Sequence, residues 1–208
     1  MDQLGFALYL ITDRAASPRP PADVVEECLG AGLRAVQLRE KDLAVRDLLA
    51  LATTLREASR RHGGRLVVND RTDVAMATGA DGVQRTLASL PVSALRAITP
   101  PGFLVGASVH SVAEAREAER DGADFLVFGP VYDTPSKRRY GPPQGLDALE
   151  DVTRVVSRPV IAVGGLTPKR VRDVLAAGAA GVAVIGAIYG AARPADATKA
   201  FLDVLGRA

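Results

Sequence analysis

The sequence predicts an α/β fold, a single (β/α)8 TIM barrel occupying residues 1–208. Three observations carry the expectation. Short apolar runs alternate with longer segments of helical period along the whole chain. Eight such runs can be marked. A glycine-led punctuation also recurs where helix gives way to strand, at Gly32, Gly79-Ala80-Asp81-Gly82, Gly122-Ala123-Asp124 and Gly178-Ala179-Ala180-Gly181. Glycine there supplies the left-handed residue that ends a helix and turns the chain into the next strand.

In order, the strands are expected at Ala7–Ile11, Ala35–Leu38, Leu66–Val68, Gly82–Gln84, Leu104–Ala107, Phe125–Phe128, Val160–Val163 and Val182–Ile185. Each is almost uniformly apolar rather than alternating, as befits a strand covered on both faces of a parallel sheet. Helical stretches include Asp47–Arg61, Ser111–Arg120, Pro168–Ala177 and Pro194–Leu205. Eight βα units in 208 residues make a small barrel. The competing architecture, an open doubly wound sheet, calls for a glycine fingerprint after the first strand, and Thr12-Asp13-Arg14 stands there instead.

Composition excludes several classes. The chain is 48% hydrophobic and 24% charged with a formal net charge of +2, and no apolar run approaches the roughly 20 residues of a membrane span. Arginine greatly outnumbers lysine, yet no basic tract interleaved with aromatics marks a nucleic-acid surface. Met1–Leu10 has no basic n-region followed by an apolar core, so the expected location is cytoplasmic. The single cysteine, Cys28, lies among apolar helix residues and reads as a small buried hydrophobe. Neither nucleic acid nor membrane is an expected partner, and a homo-oligomer is left open.

In a barrel, chemistry gathers where the strands finish. Those positions read Thr12-Asp13, Gln37-Leu38-Arg39-Glu40-Lys41, Asn69-Asp70-Arg71, Gln84-Arg85 and Ser108-Val109-His110, followed by a long loop from Gly129 to Gly145. After strand 7 comes Gly164-Gly165-Leu166-Thr167-Pro168, and after strand 8 Ile185-Gly186-Ala187. Glycines admit a phosphate close to the backbone, and amides at the following helix start can point at it. Thr167 is placed as an N-cap, with Pro168 at the first helical position. Arg39 and Lys41, two apart, leave the same face of an extended segment as Gln37, and suit a diphosphate. Salt bridging to Glu40 or Asp42 is the competing role for both cations. Asp70 is a candidate Mg²⁺ ligand, though Asn-Asp also starts turns. The loop after strand 6, with Lys137, has the length of a lid. His110 is placed as either a general base or a loop histidine bonded to backbone.

Taken together these motifs resemble the thiamine phosphate synthase/TenI family over essentially the whole chain. The matching pieces are Leu8–Asp13, Val36–Lys41, Val68–Arg71, Gly79–Val83, Gly106–His110, Phe128–Tyr132 with Thr134–Lys137, and Ala162–Gly165. The resemblance implies an enzyme that joins hydroxymethylpyrimidine diphosphate to a thiazole phosphate, releasing diphosphate with Mg²⁺ as cofactor. It implies that Gln37, Arg39, Lys41, Asn69 and Lys137 contact the pyrimidine diphosphate with Ser108 nearby, and that Asp70 holds the metal. Tyr9 then lines the pyrimidine pocket, Thr134 and Ser136 meet the thiazole phosphate, and Gly164, Gly165, Ile185 and Gly186 complete that phosphate site.

Two positions depart from the pattern. Ser89 stands where the synthases carry a second metal aspartate, within a Gln84–Ser89 segment more like TenI. Pro130 stands where the best-known TenI tautomerase has its acid/base histidine. The alternatives to the synthase are therefore a thiazole phosphate tautomerase, which needs no metal and would use His110, and a non-catalytic thiazole phosphate-binding regulator. A Schiff-base aldolase ranks below these, because none of Lys41, Lys137, Lys169 and Lys199 falls inside an expected strand.

Overall fold

The computed structural model describes residues 4–134 and 141–206. Eight parallel strands close into a barrel in sequence order: β1 (Leu8–Ile11), β2 (Ala35–Leu38), β3 (Arg65–Asn69), β4 (Gly82–Arg85), β5 (Leu104–Val109), β6 (Phe125–Phe128), β7 (Val160–Val163) and β8 (Gly181–Val184), with β8 pairing back to β1. Around them lie α1 (Pro21–Gly30), α2 (Val45–Arg61), α3 (Thr72–Thr78), α4 (Val92–Ile98), α5 (Val112–Arg120), α6 (Gly145–Val155), α7 (Val171–Ala176), α8 (Gly186–Tyr189) and α9 (Pro194–Leu205). No helix among the described residues is long and apolar enough to cross a membrane.

Strand alternation divides the core in two. Tyr9, Ala35, Val67, Leu104, Phe125, Val127, Ile161 and Ala183 fill the barrel interior, while Leu8, Leu10, Val36, Leu38, Val68 and Val105 pack beneath the helices. Tyr9 and Phe125 meet edge to face with centroids 5.9 Å apart, which makes the interior a packed core rather than a pore.

The glycine punctuation is one device repeated. Gly32, Gly79, Gly122 and Gly178 all take positive φ, between 62° and 107°. The next residue's amide then reaches back to the carbonyl five positions earlier: Leu33 to Cys28, Ala80 to Ala75, Ala123 to Ala118 and Ala179 to Val174. Gly63-Gly64 is a fifth copy that sequence patterning did not single out, with the Gly64 amide on Ser59. In two repeats the aspartate adds a lock. Asp81 Oδ2 accepts the Leu66 amide at 2.7 Å and pairs with Arg56, and Asp124 Oδ2 accepts the Val105 amide at 2.8 Å and pairs with Arg96. Both locks sit at the strand starts, the barrel rim opposite the candidate site.

Most boundaries move by a residue or two from expectation, and two of the differences adjoin the candidate site. The expected helix Pro168–Ala177 is a 3-10 turn over Pro168–Arg170 followed by α7. Thr167 holds the N-cap position with extended backbone but makes no side-chain capping bond. Strand β8 ends at Val184, and Ile185 is the cap of α8 rather than a strand residue.

Candidate active site at the strand ends

The inward parity that buries Tyr9 and Val67 brings a polar ring to the carboxyl ends of the first five strands. Gln37, 3% exposed, donates its side-chain amide to the buried Tyr9 hydroxyl at 3.2 Å. Full burial pushes the Tyr9 phenol well above its ordinary pKa, so it stays a neutral hydroxyl. Asn69 is in register with Gln84, and Gln84 Nε2 donates to Ser108 Oγ at 3.1 Å. Gln84 Oε1 is buried without a hydrogen-bond partner among the described residues. Tyr9, Gln37, Asn69 and Ser108, all expected at the site, thus share one interior end with Gln84, whose inward parity was the available signal for including it.

The segment after β2 is not the simple extended strand that the two-residue spacing suggested. The strand stops at Leu38 and Lys41 begins a turn, where it is exposed. Salt bridging runs elsewhere as well. Glu40 is no surface residue but 5% exposed, its two carboxylate oxygens each accept the Arg14 amide at 3.2 Å, and Asp42 pairs with the Arg14 guanidinium. Arg14, not Arg39 or Lys41, satisfies these acids. Among the described residues Arg39 and Lys41 have no ion-pair partner.

Asp70 follows the end of β3 with φ of 64°, a left-handed conformation that aspartate tolerates better than most residues. Its amide donates to the Gln84 carbonyl, and its Oδ1 accepts a hydrogen bond from Ser89. The Ser89 hydroxyl is itself held by the Thr86 amide at 2.9 Å. Among the described residues no cluster of three or more His, Cys, Asp or Glu is placed to hold a metal ion. One exposed carboxylate beside a hydroxyl matches the partial donor set of a Mg²⁺ that keeps its waters and takes other oxygens from a substrate.

On the far side of the mouth the loop after β6 runs along the end of β7. The Val131 amide bonds the Val163 carbonyl, and the Tyr132 amide bonds that of Gly164. Here glycine is demanded by packing. A Cβ on Gly164 (φ 102°) would lie 2.5 Å from the Pro130 side chain, and one on Gly165 (φ 63°) 2.6 Å from the Asp133 carbonyl oxygen. Gly186 is different: its φ is not left-handed, and a Cβ there would meet no atom of the described residues within 4 Å. Arg170 crosses this region, donating to the Gly165 carbonyl at 2.6 Å and stacking over the Tyr132 ring. Thr134 is half-buried at the edge of the loop. The expected contacts Ser136 and Lys137 lie outside the described residues.

His110 also stands at this end, just past β5, and is partnered by its own helix. Glu114 accepts both its backbone amide at 2.8 Å and a bond from Nδ1 at 3.2 Å, while Ser111 caps α5 through the Glu114 amide. These contacts place His110 at the start of α5.

Fold and site together define a closed parallel (β/α)8 barrel with its polar groups collected at the carboxyl ends of the strands. Residues 8–188 match the thiamine monophosphate synthase family, and the chain belongs to it. It is 44% identical over 96% of its length, and 95% of the other chain, to a thiamine-phosphate synthase of Methanoculleus marisnigri. It is 47% identical over 97% of its length to a bifunctional thiamine biosynthesis protein of Symbiobacterium thermophilum, of which the match covers 41%. Among solved structures, a thiamine phosphate pyrophosphorylase from Pyrococcus furiosus superposes with a TM-score of 0.89 at 37% identity, covering 97% of this chain and 96% of that one.

Proposed function

We propose that this protein is a thiamine-phosphate synthase, condensing hydroxymethylpyrimidine diphosphate with thiazole phosphate to give thiamine phosphate and diphosphate. The observation that carries the reading is the pair of cations at the end of β2. Glu40 and Asp42 are occupied by Arg14, so Arg39 and Lys41 keep their charge for an anion at the mouth. Departure of a diphosphate from the pyrimidine methylene leaves a cation on carbon and builds negative charge on the leaving oxygens. Fixed positive groups on that side lower the barrier most where the charge develops. The thiazole nitrogen then attacks the carbon, so holding the second substrate in line is the remaining task.

In this reading Tyr9 and Gln37 form the floor beneath the pyrimidine, and Asn69 and Ser108 lie beside it. Asp70, steadied by Ser89, would hold a Mg²⁺ that arrives with the diphosphate and screens its charge. The open space above Gly186 would receive the thiazole phosphate against the amides that open α8, with Gly164, Gly165 and Ile185 shaping the same recess and Thr134 at its edge.

The test is direct. Purified protein with both substrates and Mg²⁺ should form thiamine phosphate and release diphosphate. Arg39→Ala and Asp70→Ala should each slow the reaction at least ~100-fold (~3 kcal/mol), the first by removing a positive charge that faces the developing anion and the second by removing the carboxylate that would anchor Mg²⁺ beside it. If no product forms while the thiazole carboxylate phosphate tautomers interconvert, the protein is a tautomerase. Binding of thiazole phosphate without either reaction would make it a regulator.

A further inference from the structure

Residues 39–42 alternate in a way that the reaction alone does not explain. The cations Arg39 and Lys41 are without ion-pair partners among the described residues, while the acids Glu40 and Asp42 are both tied to the turn after β1. That turn, a 3-10 helix over Arg14–Ala16, is gripped at several points. Glu40 takes the Arg14 amide on both carboxylate oxygens, and Asp13 caps the turn by accepting the Ala15 amide at 3.1 Å. The Thr12 hydroxyl receives the Arg39 amide at 2.9 Å, and the Thr12 amide bonds the Gln37 carbonyl. Behind the turn lies the end of α8, so close that a Cβ on Gly190 would approach the Ala16 carbonyl oxygen to 3.0 Å. Burial raises the pKa of Glu40, against the bonds from Thr12 and Arg14. A carboxylate taken out of water in this way is costly unless it is well partnered, and its partners, the Arg14 amide and the Thr12 hydroxyl, both belong to the turn after β1.

We infer that Glu40 is a positioning residue for the diphosphate site: by gripping the turn after β1 from beneath, its buried carboxylate fixes the backbone from which Arg39 and Lys41 reach the substrate. The inference rests on the synthase reading, because it takes the diphosphate as the anion those cations meet. Glu40 itself touches no substrate. Its partners, the Arg14 amide and Thr12, are spent on the loop, and the Thr12 oxygen in turn orients the Arg39 amide.

The experiment measures binding of inorganic diphosphate with Mg²⁺ by titration calorimetry, together with KM for each substrate, on wild type, Glu40→Ala, Glu40→Gln, Arg39→Ala and the Glu40→Ala/Arg39→Ala double variant. Glu40→Ala should weaken diphosphate about tenfold (~1.4 kcal/mol) and raise KM for the pyrimidine diphosphate in step, leaving KM for the thiazole phosphate within about twofold. Glu40→Gln keeps an acceptor for the Arg14 amide and should recover most of the affinity. In the Arg39→Ala background the Glu40→Ala loss should shrink to about twofold or less, since coupled residues are non-additive. A lowered melting temperature with unchanged diphosphate affinity, or full additivity in the double variant, would overturn the inference. Should Glu40→Ala not fold, Thr12→Val, nearly the same shape without the hydroxyl, must show the same selective loss or the inference fails. A wild-type protein that does not bind diphosphate would sink the synthase reading itself. Wild type that binds while Glu40→Ala binds equally well sinks only the role of Glu40.

Discussion

Replacing Asp124 by alanine isolates what the glycine-led repeat contributes to stability. The Asp124 carboxylate accepts the amide of Val105, a residue with no solvent exposure, and pairs with Arg96. Without it the Val105 amide has no acceptor at the start of β5, a loss of roughly 1–3 kcal/mol for a buried donor. The ion pair adds little, at most about 1 kcal/mol, because both side chains keep close to a third of their exposure. Arg96 also retains its bonds to the carbonyls of Gly122 and Phe103 at 2.8 and 2.7 Å. The sum is about 3 kcal/mol, which for a chain of this length lowers Tm by roughly 6–12 °C. Urea unfolding followed by circular dichroism gives the free energy, and a thermal scan gives Tm. Turnover at 25 °C should hold within about twofold, because this rim of a barrel governs stability while the opposite rim carries chemistry. Asp81→Ala, which strips the same acceptor from Leu66, should cost a similar amount. A loss below about 0.5 kcal/mol, the level of an ordinary surface substitution, or an activity drop out of proportion to stability, would refute the assignment of these aspartates as strand-start locks.

Three further outcomes follow from the same geometry. Gly106→Ala would put a Cβ 2.3 Å from the Phe125 ring and 2.4 Å from Gln84 Oε1, so it should destabilise by about 1–3 kcal/mol and disturb the Gln84–Ser108 bond, read by chemical denaturation and by KM. Gly186→Ala should fold with wild-type Tm yet raise KM for the thiazole phosphate, whereas Gly165→Ala should lose stability first; equal effects of the two would remove the reason for placing a phosphate over α8. Cys28 is fully buried with its thiol pushed up to about 11, so native protein should resist iodoacetamide at pH 8 and react once unfolded in urea; rapid alkylation of the folded protein would contradict that burial.

Much of this architecture was legible in the chain itself. Uninterrupted apolar runs such as Phe125–Phe128 and Val160–Val163 have no polar face to offer water, so they had to be strands buried on both sides. Gly79, Gly122 and Gly178 were readable as helix stops because only a left-handed residue lets the next amide reach back to the helix end. The gathering of Gln37, Asn69 and Ser108 at one end followed from strand parity and direction, which a parallel barrel leaves no freedom to alter. Tertiary structure decided which charges are spent and which are kept. Nothing in the local pattern Arg39-Glu40-Lys41-Asp42 distinguishes a solvated salt-bridge run from a pair of unpartnered cations beside a buried acid. That outcome depends on Arg14 arriving from a different loop, and on the end of α8 closing behind it. Likewise Ser89 meets Asp70, and Glu114 takes up His110, through distances that sequence spacing does not encode. Periodicity reports the environment of a backbone; the fate of a charged side chain is set by whichever partner the fold brings within a few ångströms.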